Sequence, residues 1–293
     1  MLTPGLVLGL LAVVAFSLTL PITRVAVAAT SVMDVFWVRM LIAFLGAVAV
    51  LLWRRTGFPQ RQHWFPLMIV CTGVVFGFPL FTALAMQTEG SGHGGVVLGV
   101  LPLATAICGN VLSKEKPSVG FWLTATIGCA LVITYSLYSG GGSASIGDLY
   151  LFVAVVLAAI GYAQGAKLAI IYPAADVICW SILLASPVLL VGATAYIDWH
   201  GLLFTDPELL LKLWMSFAYL GLISQLFGFF LWYRALALDG VARTSQLQLL
   251  QPFFTLLFAS LFLGEVFGWL NLSFAVSIAL AVFVSRQMLV QRA

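Results

Sequence analysis

Ten stretches of this chain run for about twenty residues each with almost no charge inside them, and that pattern restricts the fold more than any motif does. Apolar runs of roughly 18 or more residues have the length a helix needs to cross the hydrocarbon of a bilayer. The sequence predicts such helices near residues 5–26, 34–53, 65–87, 94–112, 119–138, 148–171, 176–197, 212–237, 243–263 and 268–288. The connections are short and marked by charge, Gly or Pro, as in Arg54-Arg55-Thr56-Gly57, Lys114-Glu115-Lys116-Pro117 and Ser139-Gly140-Gly141-Gly142. The longest, from Asp198 to Leu211, leaves no room for a soluble domain. Composition agrees: 62% of the 293 residues are hydrophobic and 8% charged, where a soluble domain carries roughly 25% charged residues. A water-soluble fold cannot hide that much apolar surface. An all-α integral membrane protein of ten transmembrane helices is expected, because helices satisfy their own backbone in lipid.

Basic residues orient the spans, since cytoplasmic loops carry the excess of Lys and Arg. With the N-terminus cytoplasmic, Arg54, Arg55, Arg61, Lys114, Lys116, Lys167, Arg234, Arg243, Arg286 and Arg292 fall at cytoplasmic ends. Only Arg24, Arg39 and Lys212 fall toward the other side, a split of ten against three. Both termini are therefore expected in the cytoplasm. Met1-Leu2-Thr3-Pro4 lacks a basic n-region and opens a run too long for a signal peptide, so the first helix is expected to stay in the mature protein. Cys71, Cys108, Cys129 and Cys179 lie in apolar stretches, where small buried thiols are ordinary. His63, His93 and His200 show no metal-ligand spacing. No metal or cofactor is expected.

The two halves resemble each other. Asp34-Val35, followed by Leu41 and Ala43, matches Asp176-Val177, followed by Leu183 and Ala185. Pro102, Thr105 and Glu115 match Pro252, Thr255 and Glu265 at the same internal spacing. Ala83-Leu84-Ala85 matches Ala235-Leu236-Ala237, and Arg24 matches Lys167. Four matches in one order at nearly constant offset indicate a duplication, with units at 1–142 and 143–293. Each unit has five spans, an odd number, so the second must enter the membrane upside down. Inverted repeats of this kind build secondary transporters with a midplane site between the halves, although a channel or membrane enzyme can be duplicated too.

These residues resemble the drug/metabolite transporter superfamily, specifically its EamA-type ten-span exporters. The markers are Leu263-Gly264-Glu265 with Trp269 after it, the second span bearing Arg39, and Tyr233-Arg234-Ala235-Leu236 in the eighth. Ser113-Lys114-Glu115 stands where that family more often has a Gly-Glu pair. Within the superfamily the chain looks most like exporters of aromatic amino acids. The resemblance implies a basket in which spans one to four and six to nine line a central cavity, with the fifth and tenth peripheral. The implied activity is efflux of amino acids or other small metabolites across a bacterial inner membrane.

Polar side chains at lipid depth are costly unless they face a cavity or a partner, so they are the candidates for substrate contact. The ninth span offers Gln246, Gln248 and Gln251; at about 100° per residue the last two share a face. Such amides suit a zwitterion because they donate and accept at once, and they equally serve as glue between helices. Ser224 and Gln225 lie in the eighth span, Tyr162 and Gln164 in the sixth, Ser17, Thr19 and Pro21 in the first, and Phe78, Pro79 and Thr82 in the third. Pro21, Pro79, Pro102, Pro187 and Pro252 each stand inside a span, where proline frees a carbonyl and bends the helix. Phe78 and Trp232 are deep enough to wall an apolar pocket, whereas Trp37, Trp53, Trp64, Trp122, Trp199, Trp214 and Trp269 sit where an interfacial belt is ordinary.

Absences narrow the function. No Asp or Glu stands at mid-depth, so a protonation switch is missing and gradient-driven movement is favoured over tight proton coupling. Arg24, Arg39, Lys167 and Arg234 read as snorkelling near interfaces, which argues against phosphorylated substrates. Paired aspartates, a Ser–His couple and a G-x-x-x-x-G-K-[ST] loop are all missing, so neither catalysis nor direct ATP drive is expected. The expected function is export of small neutral or zwitterionic metabolites, aromatic or hydrophobic amino acids first, by alternating access. A broad-specificity drug or metabolite permease of the same fold is the alternative, and a membrane scaffold or channel the alternative of another class. The expected partners are a small-molecule substrate and membrane lipid, not nucleic acid; the sequence is compatible with a monomer and leaves the oligomeric state open.

Overall fold

A computed structural model describes residues 3–140, 145–203, 206–263, 269–288 and 290–291. Gly141, Gly142, Gly264, Glu265 and Arg292 lie outside the described residues, as does the junction expected at 142 and 143. Among the described residues the helical segments, apart from the short helix Trp199–Leu203, group into ten helices, each overlapping one expected span. They are α1 (Pro4–Ala29), α2 (Val32–Arg54), α3 (Arg61–Thr88), α4 (91–113), α5 (Val119–Gly140), α6 (Ile146–Ile171), α7 (174–196), α8 (Pro207–Asp239), α9 (241–263) and α10 (Trp269–Gln287). By length and apolarity α1, α2, α3, α6 and α8 can each cross a membrane, and α7 joins them if its halves, bent by 54°, count as one span. α4, α5 and α10 contain shorter apolar helices, Leu98–Ser113, Val119–Thr134 and Leu272–Gln287.

Three local features depart from expectation. α8 begins at Pro207 instead of near 212, because the Asp206 side chain caps it by accepting from the Glu208 and Leu209 amides. Lys116–Pro117 pairs antiparallel with Val290–Gln291, a two-residue ladder tying the end of α4 to the end of α10. Trp37 is buried, its ring stacked on Tyr196 at 6.2 Å, rather than part of an interfacial belt. Trp53, Trp64, Trp199 and Trp269 are exposed, as a belt requires.

The in-span prolines disturb the helices in ways that follow from the missing N–H. Pro21 stands four residues after Ser17, where α1 breaks; the freed Ser17 carbonyl accepts from Thr255 Oγ1 of α9 at 2.7 Å. In α3 the segment Cys71–Gly77 widens to a π-helix, with the Phe78 amide bonded to the Gly73 carbonyl five residues back. In that register Pro79 faces Val74, and the Val74 carbonyl instead accepts from Gln225 Nε2 of α8 at 3.1 Å. Leu98–Val100 and Gln246–Leu250 tighten to 3-10 turns just before Pro102 and Pro252. Pro187 follows the bend of α7. Distortion recurs at matching places: π-helix in α3 and α8 (Tyr219–Phe227), 3-10 turn in α4 and α9.

Packing repeats under exchange of the halves. α1 lies against α8 as α6 lies against α3; α2 against α8 as α7 against α3; α4 against α6 as α9 against α1. The pairs α2–α7, α4–α9 and α5–α10 are their own counterparts. The sense is inverted. Arg24 at the end of α1 donates to the Met86 and Gln87 carbonyls at the end of α3, so those helices run parallel. Ser145 at the start of α6 donates to Glu89 after the end of α3 (2.5 Å), and Tyr172 after α6 bonds His63 at the start of α3 (2.9 Å). α3 and α6 are therefore antiparallel, and α1 and α6, which hold equivalent places, point opposite ways. Exposed Leu45, Val111, Leu123, Val191, Leu261 and Phe283 give the helices the apolar outer surface that lipid contact needs.

Both ends of the bundle are tied. On the face where α1 starts, Thr3 Oγ1 and Arg286 Nη2 each donate to Asp239 at 2.7 Å, and Arg54 Nε pairs with Asp176 at 2.8 Å. The same face is held by Glu115, whose two carboxyl oxygens accept from the Val241 and Ala242 amides at 2.7 Å each. These are orphan donors of the α9 N-terminus. On the opposite face Asp34 accepts from the Thr30 and Ser31 hydroxyls and from the Asp198 amide (2.9 Å) beyond α7. Asp34 and Asp176, matched in sequence, thus begin α2 and α7 and each tie down the end of the other helix. Glu115→Ala leaves two buried amides without acceptors and is expected to remove about 1.5–3 kcal/mol. Thermal unfolding in detergent checks this, and an unchanged midpoint would contradict the tie.

Candidate functional site

The helix breaks at Leu18, Cys71–Gly77, Leu98–Val100, Tyr219–Phe227 and Gln246–Leu250 lie on or beside one cavity inside the bundle. α1 contributes Phe16, Thr19 and Leu20 to its wall, α2 Arg39, α3 Phe78, and α4 Leu98 and Leu101. Tyr162 comes from α6, Ser224, Gln225 and Phe229 from α8, and Gln251 from α9. Both repeats therefore supply the wall. Among the described residues, none from α5, α7 or α10 lines it. Its volume is about 10 Å³, room for about one water. Arg39, Tyr162, Ser224 and Gln225 on its wall are all buried.

Two polar chains cross it. Thr19 and Ser224 share a hydrogen bond at 2.8 Å, joining α1 to α8. Arg39 Nη2 donates to Gln225 Oε1 at 3.1 Å, and Gln225 donates onward to the Val74 carbonyl. That chain links α2, α8 and α3, and it uses the carbonyl that Pro79 leaves free. Gln251 Nε2 reaches the Phe16 carbonyl at 3.5 Å, and the Tyr219 hydroxyl takes the Ala15 carbonyl at 2.5 Å, so the broken turn of α1 is satisfied from α8 and α9. Rings form the apolar side: Phe16 lies 5.1 Å from Phe229, which lies 5.8 Å from Tyr162. Trp232 stands behind them, 6.2 Å from Phe16 and 5.7 Å from Tyr162. At Gly221 α8 approaches α2 so closely that a Cβ would sit 2.7 Å from the Arg39 carbonyl oxygen, which only glycine permits.

Of the residues singled out by sequence, Thr19, Phe78, Tyr162, Ser224, Gln225 and Gln251 are brought together at the cavity. Ser17 turns its hydroxyl onto the Val13 carbonyl of its own helix, and Thr82 bonds the Phe78 and Pro79 carbonyls in the same way. Pro21 and Pro79 act through the carbonyls they free and do not line the wall. Gln164, Gln246 and Gln248 are buried away from it.

One assignment is corrected. Arg39 does not reach out of the bundle as a snorkelling side chain would: it is 1% exposed and lines the cavity. α2 starts at Val32, so Arg39 lies seven residues inside it, or about 10 Å at 1.5 Å per residue. Burial runs all round the helix here, from Asp34 through Met40, so no one-sided pattern in this apolar run marks Arg39. With a buried cation on the wall, the argument against phosphorylated substrates from the lack of one no longer holds. Phe16, Leu20, Leu98, Leu101 and Phe229 also line the wall, and as common apolar residues in apolar helices they carried no mark of it.

Comparison with known proteins agrees with this architecture. The model of the EamA-like transporter family matches residues 3–137 and again 145–287. An uncharacterized transporter of Bacillus subtilis (strain 168), YdeK, is 39% identical over 285 residues, covering 97% of this chain and 98% of that one. A crystal structure of a protein sharing 16% identity superposes with a TM-score of 0.75 over 95% of this chain and 94% of its own, a likeness of fold alone. The chain is a multi-pass membrane protein and belongs to the EamA-like transporter family of the drug/metabolite transporter superfamily.

Proposed function

We propose that the protein is a secondary carrier that exports small metabolites across the bacterial inner membrane by alternating access. Amino acids with aromatic or hydrophobic side chains are the first substrate class. The observation that carries this reading is the cavity inside the bundle whose wall both inverted halves supply. Midplane sites at repeat interfaces are where such carriers bind. The mostly apolar wall, with Phe16, Phe78 and Phe229 and the few polar groups Thr19, Ser224, Gln225 and Gln251, suits a molecule with a ring or aliphatic body and a polar head. The units 1–142 and 143–293 would be the two rocking bodies. A permease for cationic drugs is disfavoured by Arg39, which repels positive charge at the centre.

The orientation follows from the basic residues at the face shared by Arg54, Arg61, Arg243 and Arg286, placed in the cytoplasm with both termini. With the four native thiols replaced, Arg61→Cys should react with an impermeant thiol reagent only from the cytoplasm, and Lys212→Cys only from outside. Labelling of both from one side would contradict the topology.

Transport itself is checked by counterflow in proteoliposomes, where wild type should exchange labelled phenylalanine, leucine or a related metabolite. Gln251→Ala removes an amide from the wall without touching a latch, and should slow exchange about tenfold, the loss of one hydrogen bond to a charged group, at unchanged yield. Exchange at the wild-type rate would remove Gln251 from the site, and ion conductance at channel rates would replace the carrier reading.

A further inference from the structure

Arg39 is the one buried cation on the cavity wall, and its charge is unanswered. The residue is among the largest fully buried side chains of the described protein. A guanidinium has five N–H donors. One goes to Gln225 Oε1, whereas Nε and Nη1 have no partner among the described residues. No Asp or Glu lines the cavity. Asp34, five residues back on the same helix, is committed to Thr30, Ser31 and the Asp198 amide. Of the neutral groups nearby, Thr19 and Ser224 bond each other and Gln225 is tied to the Val74 carbonyl. Breaking or omitting the partner of a buried charge is strongly destabilising, so proteins pair such groups unless something else brings the partner.

Resting on the carrier reading above, we infer that Arg39 is the anion-reading group of the cavity. The transported substrate bears a single carboxylate that pairs with its free N–H donors, and an apolar body that lies against Phe16, Phe78 and Phe229. The geometry of the guanidinium fork suits two carboxylate oxygens. One positive charge answers one negative charge, so a phosphate dianion would leave an excess charge in a chamber that holds no second cation. An ammonium on the substrate finds no carboxylate among the lining residues and is not read. A deaminated acid therefore binds at least as well as the amino acid of the same body.

The position of Arg39 also couples binding to movement. It sits on α2 of the first half, and its present partner Gln225 sits on α8 of the second. A cavity of about 10 Å³ has no room for a carboxylate and a ring. Entry of the anion must widen the chamber, across which Arg39 and Gln225 join α2 to α8, the two helices that Gly221 holds in close approach.

The test uses purified full-length protein and five probes sharing one ring: phenylalanine, 3-phenylpropionate, phenylalanine amide, phenethylamine and phenyl phosphate. Thermal shift in detergent reads binding, and counterflow reads transport. Phenylalanine and 3-phenylpropionate should raise the wild-type melting temperature, the latter at least as strongly; the amide, the amine and the phosphate should not. Arg39→Gln should weaken carboxylate binding about 10- to 100-fold, the range for one charge-assisted pair, while its unliganded melting temperature equals or exceeds wild type. Arg39→Lys should retain part of the affinity. Equal shifts from the amide or amine, an equal shift from phenyl phosphate, or a carboxylate preference surviving in Arg39→Gln would overturn the inference. The wild-type panel decides this even if the variant fails to fold. Carboxylate binding without counterflow would uphold Arg39 as the anion site and sink the carrier reading alone.

Discussion

Backbone hydrogen bonding is the constraint on which the rest of this structure depends. In lipid a carbonyl without a donor has no water to turn to, so a broken helix is tolerated only where protein or a cavity satisfies it. Pro21 and Pro79 free the carbonyls of Ser17 and Val74, and both are taken up across the bundle, by Thr255 and Gln225. Tyr219 and Gln251 reach the carbonyls of Ala15 and Phe16 in the same broken turn. The prolines thus gather polar side chains from α8 and α9 around α1 and α3, and the cavity lies where those side chains meet. Its polarity is a consequence of helix breaking as much as of any residue chosen to touch a substrate.

Duplication decides where that cavity sits. Two five-helix units related by inversion put matching π-helical and 3-10 distortions on either side of one seam. Asp34 and Asp176, equivalent residues, hold opposite faces: each caps its own half against the end of the other. Contacts tie the helix ends at both faces, and the chamber between them has room for about one water. In the proposed cycle, Glu115 and the Thr3–Asp239–Arg286 cluster would part for one opening, and the Asp34 and Arg24 contacts for the other.

Much of this was legible in the residues themselves. Spans were readable because lipid tolerates few alternatives to a twenty-residue apolar helix, and Pro102 and Pro252 announced matching distortions because a missing N–H acts locally. Thr19, Ser224 and Gln225 were readable as costly polar groups in apolar runs. Legibility failed where rotation of a helix, rather than depth along it, decides. Ser17 and Thr19 differ by two residues, yet one bonds its own helix and the other faces the cavity. Arg39 sits within the run Asp34 to Met40, which is buried on every side, and only packing shows that its side chain stays inside the bundle. Phe16 and Phe229 are apolar residues among many others, and only packing places them at the wall. Glu115 shows the same limit at a helix end, since its partners, the Val241 and Ala242 amides, are more than a hundred residues away.

The proposed carrier exposes one chamber to each side of the membrane in turn. The most direct measurement is labelling of Thr19→Cys, in a background without the native thiols, by an impermeant reagent applied to one face at a time. Thr19 lines the chamber and lies at the α1 break. Reaction from the inside and, separately, from the outside is the predicted result. Reaction from one face only, whatever solute is present, would contradict a carrier with two alternating mouths.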